Sequence, residues 1–263
     1  PNDELAAAAD PDAGFVVTAH VPDGPDAGDQ VESTERALWH LQAFGLRPVG
    51  ELRVQVVDDA DWTDRWKEHY AVQRIGRVTV VPSWIEHRPM PGEATIALDP
   101  GMAFGTGLHP TTRGCLELLQ AQGPMPARVL DVGCGTGILS LAALRLGASH
   151  AVALDTDPNA IAATRAAAER NDLGARVDVG EGTLPAEPCE RFELILANLV
   201  AAVLVELAPR LADHLAPGGT LIASGIIETR ATEVIDAMAG AGLAVTTRRD
   251  DGEWVILALG HAG

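Results

Sequence analysis

Three glycines alternate in residues 129–140 (VLDVGCGTGILS), directly after an apolar run that contains an acidic residue, Asp131. An apolar-periodic segment then continues as far as Gly147. This order predicts a strand, a tight turn and a helix, because glycine permits sharp turns and a three-to-four-residue apolar period is helical. Since Gly133 and Gly135 have no Cβ, their backbone can approach a ligand closely. The spacing G-x-G-x-G differs from the dinucleotide fingerprint G-x-G-x-x-G, so a nicotinamide dinucleotide is the less favoured ligand.

An acidic residue follows the next predicted strand. Residues 151–154 (AVAL) lead into Asp155, which lies 22 residues after Gly133. A carboxylate at the end of the second strand of such a sheet accepts hydrogen bonds from ribose hydroxyls, and its charge strengthens them. The Gly-rich turn and Asp155 together resemble the nucleoside-binding half of class I S-adenosylmethionine-dependent methyltransferases.

Two further polar residues follow predicted strands of the same sheet. Glu181 comes after the strand predicted at 176–179, near the position that contacts adenine, although a solvated surface acid explains it equally well. Asn198 ends the fourth predicted strand, residues 192–197. Ligands of doubly wound sheets bind at the carboxyl ends of the strands, so Glu181 and Asn198 are predicted to face the same ligand as Gly133.

Residues 98–112 (LDPGMAFGTGLHPTT) form a stretch rich in glycine and proline with one aromatic residue, Phe104. A long surface loop before a helix that starts at Thr111 or Thr112 is one explanation. The apolar Met-Ala-Phe sequence inside it instead favours a loop that covers a bound cofactor. Phe104 can then shield a sulfonium by cation–π contact, and Thr106 and Thr112 can bind a carboxylate, Thr112 at a helix N-terminus.

Residues 99–107 (DPGMAFGTG), with His109 and the two threonines that precede the Gly-rich turn, are similar to the ribosomal protein L11 methyltransferase (PrmA) family. The resemblance extends from about Asp61 to the C-terminus and includes the later motifs DTDP, ILANL and GEWV. The first ~60 residues match in general pattern only, and Leu108 and Val200 depart from common family residues. The resemblance implies that S-adenosylmethionine is the cofactor and that its site includes Thr112, Gly133, Asp155 and Asn198.

Methyl transfer to an amine needs orientation, exclusion of water and a neutral nucleophile, whereas free lysine has a pKa near ~10.4. Asn198 is the predicted catalytic residue, because its Oδ1 can accept a hydrogen bond from the amine and so direct the lone pair. For His109, a loop-stabilising hydrogen bond is favoured over a general-base role. Cys134 is predicted to fill space rather than to act as a nucleophile.

The resemblance implies a protein N-methyltransferase that modifies lysine ε-amines and the N-terminal α-amine of ribosomal protein L11. A lysine methyltransferase of the electron-transfer-flavoprotein type shares these motifs and is the alternative within the class. A non-catalytic nucleoside-binding protein is the alternative from another class, and the Asn198 and Phe104 motifs count against it.

The composition suits a globular protein and opposes several other classes. The 263 residues carry a formal net charge of −18, which opposes direct binding of nucleic acid. No apolar run reaches ~18 residues and no signal-peptide pattern is visible, so we expect no membrane association and a cytoplasmic location. The three cysteines lack metal-ligand spacing, which predicts no metal site. We expect a monomer.

The order of predicted elements indicates an α/β protein with two domains. Residues 1–58 are predicted to form a small α/β substrate-recognition domain of ferredoxin-like type. Its strands lie at 14–21 and 51–57, with a turn at 22–29 and a helix at 34–44 between them. Residues 59–75 are predicted to form a helical linker in which Trp62, Trp66 and Tyr70 share one face.

Residues 76–263 are predicted to form the S-adenosylmethionine-binding domain, a doubly wound, Rossmann-like sheet of seven strands with helices on both faces. The chain is expected to end in an antiparallel hairpin over 243–259. Before it, we predict a helix over 200–215 that is interrupted at Pro209, and a turn at 217–219.

Overall fold

The computed structural model describes residues 27–28, 31–35, 38, 52–54, 71–99, 109–185, 188 and 190–263. The chain divides into two compact units, Pro1–Trp66 and Lys67–Gly263. This boundary falls inside residues 59–75, the stretch predicted as a linker.

In the first unit, the described residues correct two local predictions. Residues 27–28 and 31–35 are helical, where the sequence predicts a turn as far as residue 29. Leu52 and Val54 are exposed and lie outside any helix or strand, so their alternation does not mark a buried strand face. The strand predicted at 14–21 lies outside the described residues, as does the aromatic face of Trp62, Trp66 and Tyr70.

The described residues of the second unit form ten strands and five α-helices. In chain order they are β1 (Gln73–Ile75), β2 (Val78–Pro82), β3 (Ala94–Leu98), α1 (Pro110–Ala121), β4 (Arg128–Val132), α2 (Ile138–Arg145), β5 (His150–Asp155), α3 (Pro158–Arg170), β6 (Val177–Glu181), β7 (Phe192–Asn198), α4 (Ala201–His214), β8 (Leu215–Ile227), α5 (Ala231–Gly240), β9 (Leu243–Asp251) and β10 (Trp254–His261). β1 thus occupies the C-terminal end of the predicted helical linker. None of the described helices is long and apolar enough to cross a membrane.

The predicted seven-stranded sheet is confirmed, with the order β6-β5-β4-β7-β8-β10-β9. The first five strands of this order run parallel, and β10 pairs antiparallel with both β8 and β9. The order reverses beside β4, which has β5 on one side and β7 on the other. The carboxyl ends of β4, β5 and β7 therefore meet at the switch point, where doubly wound sheets bind ligands.

Alternate residues of the parallel strands enter two separate cores, because successive strand side chains point to opposite faces. Val129 of β4 packs with Leu116 of α1 and Leu141 of α2. Its neighbour Leu130 packs on the other face with Leu204 of α4 and other buried side chains of α4 and α5. Helices thus cover both faces of the sheet, which explains why its strands read as nearly continuous apolar runs.

A smaller three-stranded sheet within the second unit, β1-β2-β3, is bonded to the rest of that unit by the buried side chain of Asn171. Its Oδ1 accepts from the Ala97 backbone N–H at 2.9 Å, and its Nδ2 donates to the Ala97 carbonyl at 2.8 Å. The amide therefore pairs with β3 as a neighbouring strand would. Arg145 adds a bond from its Nε to the Thr95 carbonyl at 3.0 Å.

Three predicted boundaries differ from the structure. Helix α1 begins at Pro110, because proline fits the first helical position and His109 caps it. Helix α4 continues through Pro209, since proline removes one helix hydrogen bond while the buried Leu207 and Leu211 hold the turns on either side.

The turn predicted at 217–219 lies within strand β8. The register with β7 shifts there, with Phe192 opposite Leu215 but Leu194 opposite Thr220. The glycine-rich residues are thus an irregularity in one long strand rather than its start.

Candidate active site

The Gly-rich turn joins β4 to α2 and packs against the segment that follows β7. Gly133 has a φ of +72°, and its N–H donates to the Leu154 carbonyl at 2.8 Å. A Cβ at Gly133 would lie 2.3 Å from Leu199 Cδ2. Both the backbone conformation and the available space therefore require glycine at this position.

Asp155 is bonded directly to the Gly-rich turn. Its Oδ2 accepts from the Gly135 N–H at 2.9 Å, and its Oδ1 accepts from the Asp157 N–H at 3.0 Å. These bonds hold the carboxylate at the end of β5. Each oxygen keeps lone-pair capacity for another donor, because an ionised carboxylate has about four acceptor sites.

Thr164, a buried residue of α3, also bonds to the Gly-rich turn. Its Oγ1 donates to the Gly135 carbonyl at 2.9 Å and lies 3.3 Å from Cys134 Sγ. Because the hydroxyl hydrogen is already engaged, the thiol is the donor in the second contact. Burial raises the pKa of Cys134 to about 12. The thiol is therefore neutral at physiological pH, as its predicted space-filling role requires.

Asp131 caps α2 from inside the sheet, a role that the sequence interpretation missed. The N-cap residue Gly137 has no side chain to accept a hydrogen bond, and Asp131 Oδ2 accepts from Ser140 N at 3.0 Å and Ser140 Oγ at 2.6 Å. Asp131 is 1% exposed, and burial raises its pKa to about 6, assisted by the negative charge of Asp155. The available signal was an acid inside an apolar strand with serine at the third helical position of the next element.

Asn198 lies half-buried at the end of β7, where helix α1 approaches. Its Nδ2 donates to Thr112 Oγ1 at 3.4 Å, and Thr112 is fully buried in the first turn of α1. Within the described residues, Asn198 Oδ1 has no hydrogen-bond partner. The amide is thus held by its nitrogen, and its oxygen is the atom that can accept from a bound group.

The hydrogen bonds of His109 cap helix α1, while residues 100–108 of the loop that it was predicted to stabilise lie outside the described residues. Its Nδ1 accepts from the Thr111 N–H at 3.4 Å and lies 2.8 Å from Thr111 Oγ1, and its ring packs edge-on against Trp254. Burial lowers the pKa of His109, which favours the neutral form that capping requires.

The structure brings most of the predicted site residues to one edge of the sheet. Asp155 and the exposed Glu181 are register partners in β5 and β6, so their side chains leave the same face. Gly133, Gly135, Thr112 and Asn198 lie around the ends of β4 and β7 as described above. Phe104 and Thr106 lie outside the described residues. In the described part of the chain, no group of three or more metal-ligating side chains occurs.

A doubly wound seven-stranded sheet, with a Gly-rich turn and an acidic residue at its switch point, is the architecture of class I methyltransferases. The crystal structure of ribosomal protein L11 methylase from Lactobacillus delbrueckii subsp. bulgaricus matches 74% of this chain and 100% of its own, with 31% identity and a TM-score of 0.69. A methyltransferase from Pyrococcus furiosus shares the fold, with a TM-score of 0.53 at 17% identity over 64% of this chain and 89% of its own.

The chain belongs to the ribosomal protein L11 methyltransferase (PrmA) family, whose model matches residues 7–261. The relative from Chloroflexus aurantiacus is 42% identical and covers 94% of this chain and 83% of its own. The relative from Herpetosiphon aurantiacus is 41% identical over 91% of this chain and 81% of its own. Both are named ribosomal protein L11 methyltransferase. The match begins at residue 7, so it includes the N-terminal region, whose sequence resembles the family in general pattern only.

Proposed function

We propose that this protein transfers methyl groups from S-adenosylmethionine to lysine ε-amines and to the N-terminal α-amine of ribosomal protein L11. Family membership supports the reaction class, and the names of the relatives support the substrate. The observation that carries the proposal is the arrangement at the switch point. There the carboxylate of Asp155 is tied to the Gly-rich turn, while the amide oxygen of Asn198 is left able to accept a hydrogen bond.

The residues present fit S-adenosylmethionine. Asp155 has acceptor capacity for ribose hydroxyls, and Thr112 stands at a helix N-terminus suited to a carboxylate. We predict that the backbone of Gly133 lies against the same ligand. We predict the same ligand for Gly135, Glu181, Phe104 and Thr106. When bound, S-adenosylmethionine supplies a methyl group on a positively charged sulfur.

Asn198 would orient the accepting amine. Lysine is mostly protonated near neutral pH, since its pKa is near ~10.4, and only the neutral amine has a lone pair to donate. Accepting an N–H bond at Oδ1 selects a defined direction for that lone pair. The 3.4 Å bond from Nδ2 to Thr112 Oγ1, in the first turn of α1, restrains rotation of the amide and favours this direction.

We assign substrate recognition to residues 1–58. The relatives are named for a ribosomal protein substrate, which supports a cytoplasmic location, and the negative net charge opposes direct nucleic-acid binding. The net charge of −18 suits contact with a basic protein. The alternative substrate of the electron-transfer-flavoprotein type shares the amine chemistry and differs in what residues 1–58 contact.

The test is intact-mass spectrometry of unmethylated ribosomal protein L11 after incubation with this protein and S-adenosylmethionine. We expect mass increments of one methyl group each, located on lysines or on the N-terminus. No increment together with tight cofactor binding would move the search to other basic proteins. Stabilisation of the fold by NAD but not by S-adenosylmethionine would overturn the proposal altogether.

The variant Asn198→Ala tests the catalytic assignment. We expect S-adenosylmethionine affinity, measured by titration calorimetry, to stay within about fivefold, while the methylation rate falls about a hundredfold or more. An unchanged rate would remove Asn198 from the catalytic assignment without affecting the family or the fold.

A further inference from the structure

Leu199 follows Asn198 and is held between two glycines that come from different strands. Its side chain occupies the space next to Gly133, where a Cβ would lie 2.3 Å from Leu199 Cδ2 and 3.4 Å from Cγ. Its backbone lies against Gly225 of β8, where a Cβ would lie 2.3 Å from the Leu199 carbonyl oxygen, 2.7 Å from its carbonyl carbon and 3.1 Å from its nitrogen. Both Cβ positions lie closer to Leu199 than real Cβ atoms approach other atoms, so neither Gly133 nor Gly225 has space for a side chain.

Further bonds fix the Leu199 backbone. Its N–H donates to the Ser224 carbonyl at 2.9 Å, and Ser224 is the register partner of Asn198. Gly225 has a φ of +83°, which side chains rarely adopt, so strand β8 is shaped to receive this segment. Val200 then caps α4 with an extended backbone, at φ −62° and ψ 147°. Leu199 and Val200 are therefore held by a backbone hydrogen bond, by the close approach of Gly225 and by the start of α4.

The geometry points to Leu199 as a positioning residue that sets the separation between the Gly-rich turn and the Asn198 amide. The inference rests on the proposed function, because it takes the turn as the cofactor side and Asn198 as the acceptor side of the reaction. Leu199 joins the two directly, with its side chain on the turn and its peptide bond on Asn198. Truncation of Leu199 removes the side chain that packs against Gly133, so the backbone of the Gly-rich turn becomes free to shift toward Asn198.

Ordinary core packing is the competing explanation, since Leu199 also packs against the buried cluster that includes Leu204 and Val132. The two explanations predict different results for a truncation. Packing alone lowers stability, whereas a positioning role also changes catalysis after stability is accounted for. Ile235 of α5 provides the matched control, because it is an aliphatic residue of the same size, is also partly buried, and packs against the same cluster.

The experiment compares Leu199→Ala, Leu199→Met and Ile235→Ala for melting temperature, S-adenosylmethionine affinity by calorimetry, and kcat and KM for ribosomal protein L11. We expect Leu199→Ala to lower kcat about tenfold to a hundredfold with little change in KM for the protein substrate, and to weaken cofactor binding several-fold. Leu199→Met restores most of both, because its volume is similar. Ile235→Ala lowers the melting temperature but leaves kcat and affinity within about twofold.

Equal effects of Leu199→Ala and Ile235→Ala on kcat and on cofactor affinity would overturn the inference. The calorimetric measurement needs no protein substrate. If the wild-type protein binds S-adenosylmethionine but does not modify L11, the proposed substrate fails, while the link from Leu199 to the turn is still tested by affinity. Unchanged affinity and unchanged kcat in Leu199→Ala would refute the positioning role whatever the substrate.

Discussion

The buried carboxyl of Asp131 predicts a pH-dependent contribution to stability that a single substitution removes. Its pKa is raised from 3.8 to about 6, mainly because burial penalises the charged form, and the two Ser140 bonds oppose this only in part. The negative charge of Asp155 acts in the same direction as burial. A shift of about two units corresponds to about 3 kcal/mol, at 1.36 kcal/mol per unit.

The sign follows from the proton balance. Between pH ~4 and ~6 the folded state keeps the Asp131 proton and the unfolded state has lost it, so the unfolded state binds fewer protons. Stability contributed by Asp131 is therefore greatest below pH ~4 and is lost as pH rises through about 6. In Asp131→Asn the amide oxygen can still accept from Ser140, and no ionisation occurs.

The assay is urea unfolding of the wild-type protein and of Asp131→Asn at a series of pH values from 4 to 7.5. Other titrating groups affect both proteins alike, so the difference between their free energies of unfolding isolates Asp131. We expect the wild type to lose about 3 kcal/mol relative to the variant across this range. Ser140→Ala should move the midpoint of this loss to higher pH, because the Ser140 hydroxyl bond lowers the pKa. A difference that stays constant with pH would refute the linkage.

Three other substitutions test individual contacts. Asp155→Asn removes charge-assisted acceptor capacity, so S-adenosylmethionine binding should weaken about tenfold to a hundredfold by calorimetry, and unchanged affinity would contradict the ribose role. Thr164→Val leaves the Gly135 carbonyl without its donor and should cost about 1 kcal/mol in thermal unfolding, whereas Thr164→Ser should not. Asn171→Ala leaves both Ala97 backbone groups unpaired and should cost about 2–4 kcal/mol in urea unfolding, and faster hydrogen exchange at Ala97 would locate the damage.

The features that were predictable from the sequence are local in the chain. The strand, the Gly-rich turn and the helix occupy one continuous segment, and each glycine acts on its own backbone. Asp155 was predictable because its distance from Gly133 along the chain reflects one strand–helix–strand unit. The hairpin of β9 and β10 was likewise contained in adjacent residues. The helix through Pro209 was not, because its continuity depends on burial against other elements.

The supports of the site join residues that are distant in sequence, and their partners could not be assigned from residue type. Thr164 occurs as an ordinary polar residue of an amphipathic helix, and only the folded chain shows its hydroxyl on the Gly135 carbonyl. Gly225 occurs inside an apolar strand, where glycine usually weakens a sheet. The folded chain shows why glycine is needed there, because the Leu199 backbone occupies the space that a Cβ of residue 225 would fill.

Asn198 shows why this difference matters for function. Its residue type and its place at a strand end were sufficient to propose that it accepts a hydrogen bond from the substrate amine. Its amide nitrogen donates to Thr112 in α1, and the next residue, Leu199, lies against Ser224 and Gly225 of β8 and against Gly133, so we infer that these contacts set the direction of the amide. A displacement of ~1 Å at a reacting group can cost about a hundredfold in rate. Variants that retain Asn198 but change these three contacts should therefore lose activity almost as fully as variants that lack it.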